Sequence, residues 1–173
     1  MQDTEWAGHT KVVFDLSASC REGAANRGRS SSVGMKGGTG VSELVFSANF
    51  EGGNLAKVTQ VGKTEYDILL SPDTETSRHM QWFYFKVSNV QKGINYKLNL
   101  VNMSKSKSLY NKGLQPLTYI EQRLVHERLG WSRSCQDIAY YKSSIYYRKR
   151  SRTPFRTLTF TYTGEYNWDK VHD

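Results

Sequence analysis

The chain has 173 residues, 38% of them apolar, with eleven tyrosines and two cysteines. That length fits one domain and can bury a core without a metal or a disulfide network. The net charge of +8 and pI near 9.5 favour acidic partners, and no apolar run reaches the ~18 residues of a membrane-crossing helix.

Residues 1–42 read as a flexible N-terminal segment. Gly23–Gly40 is built of Gly, Ser, Ala, Arg and Lys with few apolar groups, too few to offset the chain entropy that ordering would cost. Gly34-Met35-Lys36-Gly37-Gly38-Thr39-Gly40 has the glycine density of a phosphate loop. It lacks the Gly-Lys-Ser/Thr ending and the strand-to-helix frame, so it reads as linker. Val12-Val13-Phe14 is one apolar island in this stretch, able to add a strand or to dock. No charged leader followed by an apolar core opens the chain. Cys20 falls in the same segment, so a bridge to Cys135 is not expected, and the cysteine usage fits a reducing compartment.

From Glu43 to Asp173 the pattern turns to period two. Leu44, Phe46 and Ala48 share one face. Phe50-Glu51-Gly52-Gly53-Asn54-Leu55 reads as a turn with a positive φ at a glycine, or as a domain-contact loop. Strands are predicted at 54–61 and 65–70 around a Gly62-Lys63 hairpin turn. Trp82–Val87 is apolar on both faces and predicts a central strand, with Trp82, Phe83, Tyr84 and Phe85 as packing residues. Tyr96, Leu98 and Leu100 share a face of the next strand. Further strands are predicted at 117–121, 137–147 and 155–163, with one or two helical turns in 121–129. About eight or nine short strands and little helix predict an all-β fold, an antiparallel β-sandwich.

Catalytic signatures are missing. Zinc peptidases of the carboxypeptidase type use a His-x-x-Glu pair. The third residues after His9, His79 and His126 are Val12, Trp82 and Leu129, and His172 precedes only Asp173. His126-Glu127 is adjacent and makes a poor chelate. His79 reads as a structural residue at a strand start. No Gly-x-Ser-x-Gly occurs. Cys135 follows Arg133, which could activate a thiol, but no orienting histidine stands near it, and it reads as inert.

Basic residues are the stronger signal. Arg123 to Arg156 holds nine Arg and Lys against Glu127 and Asp137, and Lys105, Lys107 and Lys112 stand close before it. Arg148–Arg152 reads either as a solvated hairpin tip or as a binding patch. Lys105, Lys107, Tyr110, Trp131 and Arg133 form the candidate site for substrate or for a domain interface. Arg grips carboxylates with a planar fork, and Lys adds a mobile charge. A polar corner of Asn102, Ser108, Tyr110 and Trp131, turned toward a neighbouring domain, is the competing view.

Seven blocks carry a family likeness: residues 50–55, Tyr66-Asp67-Ile68, His79–Phe85, Asn102–Pro116, Gly130-Trp131-Ser132-Arg133, Ile138–Tyr141 and Leu158–Thr161. In order and spacing they resemble the N-terminal domain of the cytosolic carboxypeptidases over roughly residues 43–166. The Lys-x-x-Ser-Leu-Tyr run and the Gly-Trp-x-Arg resemble the tubulin-deglutamylating members. The resemblance implies a non-catalytic β-sandwich ahead of a zinc peptidase domain that this chain lacks. It implies zinc in that absent domain and no cofactor in this one. It also implies, as partners, the peptidase domain and acidic tails such as tubulin, in the cytoplasm or near microtubules or cilia, with no membrane and no nucleic acid. The alternative is a free-standing basic module that binds polyanions or a protein partner.

Overall fold

The computed structural model describes residues 10–17, 41–73, 79–147 and 152–166. Among these, ten strands and little helix make an all-β protein: β1 (Lys11–Asp15), β2 (Val45–Ser47), β3 (Leu55–Gly62), β4 (Glu65–Leu70), β5 (Lys86–Ser88), β6 (Asn95–Met103), β7 (Thr118–Tyr119), β8 (Trp131–Ser132), β9 (Cys135–Tyr147) and β10 (Pro154–Thr163). A 3-10 turn spans Leu109–Lys112 and a short helix, α1, spans Glu121–Glu127. Most of the 1–42 expectation falls on residues 1–9 and 18–40, outside the described residues, as does that for Arg148–Ser151. The island Val12–Phe14 lies in β1.

Six strands form the main sheet in the order β1-β3-β4-β6-β10-β9. All its pairings are antiparallel except β4 with β6, where Tyr66 lies opposite Leu98 and Ile68 opposite Leu100. The parallel pair departs from the expected antiparallel pattern. After β4 the chain leaves the sheet, passes through β5, and returns beside β4 in the same direction.

Alternation decides the faces. Tyr66, Ile68 and Leu70 of β4, Tyr96, Leu98 and Leu100 of β6, and Leu158 and Phe160 of β10 are all buried in one core. Its second layer is not a full sheet. The ribbon β2–β5 and the irregular segment 81–85 cover the core face. Phe46 packs on Tyr66 at 5.2 Å between ring centres, and Phe83 stacks on Phe160 at 6.0 Å. Two buried tyrosines pin the cover to the sheet. The Leu44 N–H donates to the Tyr66 hydroxyl and the Gln91 N–H to the Tyr96 hydroxyl, each at 3.1 Å.

The central strand expected over Trp82–Val87 is not formed, and only Lys86–Ser88 is strand. Its two apolar faces have different reasons: Phe83 and Phe85 pack against the core, while Trp82 and Tyr84 face outward, 45% and 41% exposed. The Gly52-Gly53 turn behaves as read. Gly52 has φ +80°, and a Cβ on Gly53 would sit 2.2 Å from the Ala48 carbonyl oxygen.

The opposite face of the sheet is polar, and its centre is closed. Asn99 and Thr159 are buried there. Asn99 donates to Glu65 at 2.9 Å and to Asp67 at 3.0 Å, and accepts from the Thr159 hydroxyl at 2.8 Å. Asn102 is buried as well, bonded through its side chain to the backbone N–H and C=O of Leu70 at 2.9 and 2.8 Å. It therefore joins β4 to β6 and takes no part in the expected polar corner.

Candidate docking groove

A cavity of about 1040 Å³ opens on the core side of the sheet. Its lining includes Leu98, Phe160 and Tyr162 from the sheet, Phe83 and Phe85 on one side, and Pro116 and Ile120 on the other. Four aromatic rings run along this region as a ladder. Phe50 meets Tyr84 edge to face at 5.0 Å, Tyr84 meets Trp131 at 5.9 Å, and Trp131 meets Tyr119 at 5.4 Å. All four are large exposed side chains, Trp131 the most open at 55%. Leu117, and Leu124 and Val125 of α1, are exposed as well. A ladder this open is unusual for an aqueous face, because apolar area gains free energy only when water leaves it.

Local structure sets each rung. Asn54 holds the Tyr84 segment through both its backbone and its side chain. The β7–β8 pairing puts Tyr119 directly opposite Trp131. Trp82 is tied to Asp73, its indole N–H donating at 2.8 Å. The rim also carries charge: Lys86 pairs with Glu121 at 3.4 Å, and both are well exposed.

The five predicted site residues divide. Tyr110, Trp131 and Arg133 all line the groove. Lys105 and Lys107 are exposed and do not. They follow β6, where the Tyr140 hydroxyl donates to the Lys105 carbonyl. Tyr110 stacks on Tyr140 at 6.4 Å, and burial, followed by the nearby Cys135, pushes its hydroxyl pKa up. Ser108 caps the 3-10 turn by accepting from the Tyr110 N–H, so its work is local. The sequence reading does not single out Tyr119, whose place in the ladder depends on β-pairing. Phe50 was visible within its turn.

A second charged region lies where β9 pairs with β10. Lys142 stands opposite Arg156 in the β9–β10 register, and Arg156 is also opposite Met103, two residues before Lys105. Neither Lys142 nor Arg156 is in an ion pair among the described residues. Like charges directly across a pair repel, and an anion placed there would relieve the repulsion.

Cys135 is a free, buried thiol whose pKa burial pushes up to about 12, opposite to what a nucleophile needs. Arg123 of α1 pairs with Glu165 just after β10 and donates to Ser132, while the Tyr166 hydroxyl donates to Glu127. His126 lies beside Tyr166, ring centres 6.5 Å apart. Among the described residues no group of three or more His, Cys, Asp or Glu could hold a metal, and no helix is long and apolar enough to cross a membrane.

Residues 46–168 match the family model described as the cytosolic carboxypeptidase N-terminal domain. The chain is 42% identical over 134 residues to cytosolic carboxypeptidase 1 of Gallus gallus, covering 75% of this chain and 11% of that protein. It is 43% identical over 120 residues to cytosolic carboxypeptidase 2 of Xenopus tropicalis, covering 69% and 12%. It is 40% identical over 129 residues to cytosolic carboxypeptidase 3 of Bos taurus, covering 75% and 13%. The matched part of the chain thus spans little more than a tenth of the length of these relatives.

Proposed function

Because the chain belongs to the cytosolic carboxypeptidase N-terminal domain family, we propose that it braces a zinc peptidase domain and helps bring acidic protein tails to it. Zinc and the hydrolytic chemistry belong to that neighbour in this reading. The observation that carries it is the exposed ladder Phe50–Tyr84–Trp131–Tyr119 beside an apolar groove. Aromatic residues with a charged rim suit a buried interface centre. Tyr166, at the end of the described residues, also lines the groove.

The test is made in the full-length protein with Trp131→Ala and Tyr84→Ser together. Losing two aromatic anchors is expected to split one melting transition into two and to lower peptidase turnover about tenfold or more. A single unchanged transition with unchanged turnover would remove the bracing role.

Acidic-tail recognition rests on the Lys142–Arg156 pair, with Lys105, Lys107 and Arg133 as further candidates. Tubulin-like glutamate tails are the candidate ligands. Lys142→Glu with Arg156→Glu is expected to weaken salt-dependent poly-glutamate binding while the fold persists. Stronger binding of an oligonucleotide than of poly-glutamate would favour the polyanion-module reading instead.

A further inference from the structure

β1 stands apart from the rest of the main sheet. The family match begins at residue 46, yet Lys11–Asp15 pairs antiparallel with the outer edge of β3. Without β1, β3 would be the sheet's edge strand, with its outward N–H and C=O groups unpaired. Such an edge invites another strand, and proteins cover it, blunt it or use it. Here the cover comes from outside the matched domain.

The cover is a light one. β1 is five residues long and its register breaks between Val12 and Phe14. Val12 is 47% exposed. Only Val13 and Phe14 of the strand pack, half-buried, against the core. The Lys11–Glu43 ion pair, at 2.6 Å, joins two well-exposed side chains and so adds little. Strands with few buried contacts open most readily. Residues 18–40 separate β1 from the next described segment, so the strand is joined to the sheet through a long stretch of sequence.

We propose that the outer edge of β3 is a strand-acceptor site, held in this structure by the chain's own residues 11–15, that takes an extended peptide of the same chemistry. The main-chain ladder supplies affinity, and side-chain places supply choice. Glu43 selects a basic residue at the Lys11 position. The half-buried places of Val13 and Phe14 select a branched apolar residue followed by an aromatic one. β1 is the tethered competitor. A tether makes its effective concentration on the order of millimolar, so an outside peptide gains access only when β1 is displaced.

The experiment uses the full chain. Phe14→Asp is made to dislodge β1, and a fluorescent peptide of residues 10–17 is titrated into wild type and variant. The variant is expected to bind the peptide about tenfold or more tighter than wild type. A peptide carrying the same Phe14→Asp change should bind neither protein. Hydrogen exchange should show β3 amides on the β1 side losing protection in the variant and regaining it with peptide, while β4 and β6 stay protected. Equal binding to both proteins, or none to a variant whose β4 and β6 remain protected, would overturn the proposal. So would loss of protection throughout the sheet, because β1 would then be part of the core. Concentration-dependent dimers of wild type would assign the edge to a second copy and end the peptide reading.

Discussion

The Asn54 N–H donates to the Tyr84 carbonyl at 3.1 Å, and the Tyr84 N–H donates back to Asn54 Oδ1 at 2.9 Å. The same side chain donates from Nδ2 to the Trp82 carbonyl at 2.9 Å. One buried asparagine thus does for residues 82–84 what a neighbouring strand would do. It lets the backbone stay satisfied while Tyr84 turns outward into the aromatic ladder.

Asn54→Ala is therefore expected to leave the Tyr84 N–H and the Trp82 carbonyl without their partners. An unmet buried polar group costs about 1–3 kcal/mol, and the lower stability should appear in urea denaturation. The fluorescence of Trp82 and Trp131 should shift toward that of water-exposed indole as the ladder loosens. Unchanged stability and emission would mean that the segment is held by packing alone.

Asn99 invites a pH experiment. Its amide donates to Glu65 and Asp67 together. Asn99→Asp would replace that donor with a third carboxylate in a buried position. A buried like charge is disfavoured, so the new carboxyl should titrate well above its usual range. The variant is expected to lose more than 2 kcal/mol at pH 7 and to recover part of it toward pH 4.5 as the new group takes up a proton. A loss that does not lessen on acidification would show that shape, not charge, is at fault.

Glu65 sets the acid side. Burial alone would raise its pKa, but hydrogen bonds from Asn99 and Lys97 and the Lys97 charge hold it below the ordinary value. A depressed carboxylate stabilises the fold above its unfolded pKa of about 4.3 and loses that contribution as pH falls through the folded value. Lys97 lies 3.0 Å away. Lys97→Met is expected to raise the pH of acid unfolding, read by circular dichroism. An unmoved or lowered midpoint would contradict the assignment.

Much of the sheet is legible in the sequence because alternation is a local signal. Tyr66-x-Ile68-x-Leu70 and Tyr96-x-Leu98-x-Leu100 mark the core face without any knowledge of partners. The Trp82–Val87 segment misleads for the same reason. Two apolar faces suggest a central strand, yet here Phe83 and Phe85 pack on the core while Trp82 and Tyr84 face outward. Asn99 reads only as a position on the face opposite Tyr96, Leu98 and Leu100, and Asn102 as part of a polar corner; their hydrogen bonds to Glu65, Asp67 and Leu70 depend on the parallel pairing. Within the candidate site, Trp131 and Arg133 stand out as a motif, whereas Tyr119 becomes visible only when β7 pairs with β8. Lys105 and Lys107 share a sequence run with Tyr110 but, in the segment after β6, stand outside the groove that Tyr110 lines.

Cys135 offers an alkaline test. Its pKa of about 12 lies above that of an unfolded thiol, about 8.5. A raised folded value means that its contribution to stability is present below the unfolded pKa and is lost as pH rises toward 12. In a Cys20→Ser background, alkylation of the remaining thiol at pH 8 should be slower than in the urea-unfolded chain by about a thousandfold or more, since reaction must wait for opening. Rapid labelling of the folded protein would place the thiol within reach of solvent.

Arg123 ties α1 to the end of the sheet. Its guanidinium meets Glu165, with Ser132 on a second nitrogen and Glu127 one helical turn away at 3.8 Å. Residues 121–127 bury no side chain, so packing does little to fix this helix. Arg123→Ala should remove charge-assisted bonds worth about 1.5–3 kcal/mol each at most, and the loss should be local. Hydrogen exchange is expected to speed up across α1 and residues 164–166, while β4 and β6 keep their protection. If exchange instead rises throughout the sheet, Arg123 supports the core and does not act as a clip. If α1 stays as protected as before, the helix is fixed by its own turn and by the β7–β8 ribbon beside it.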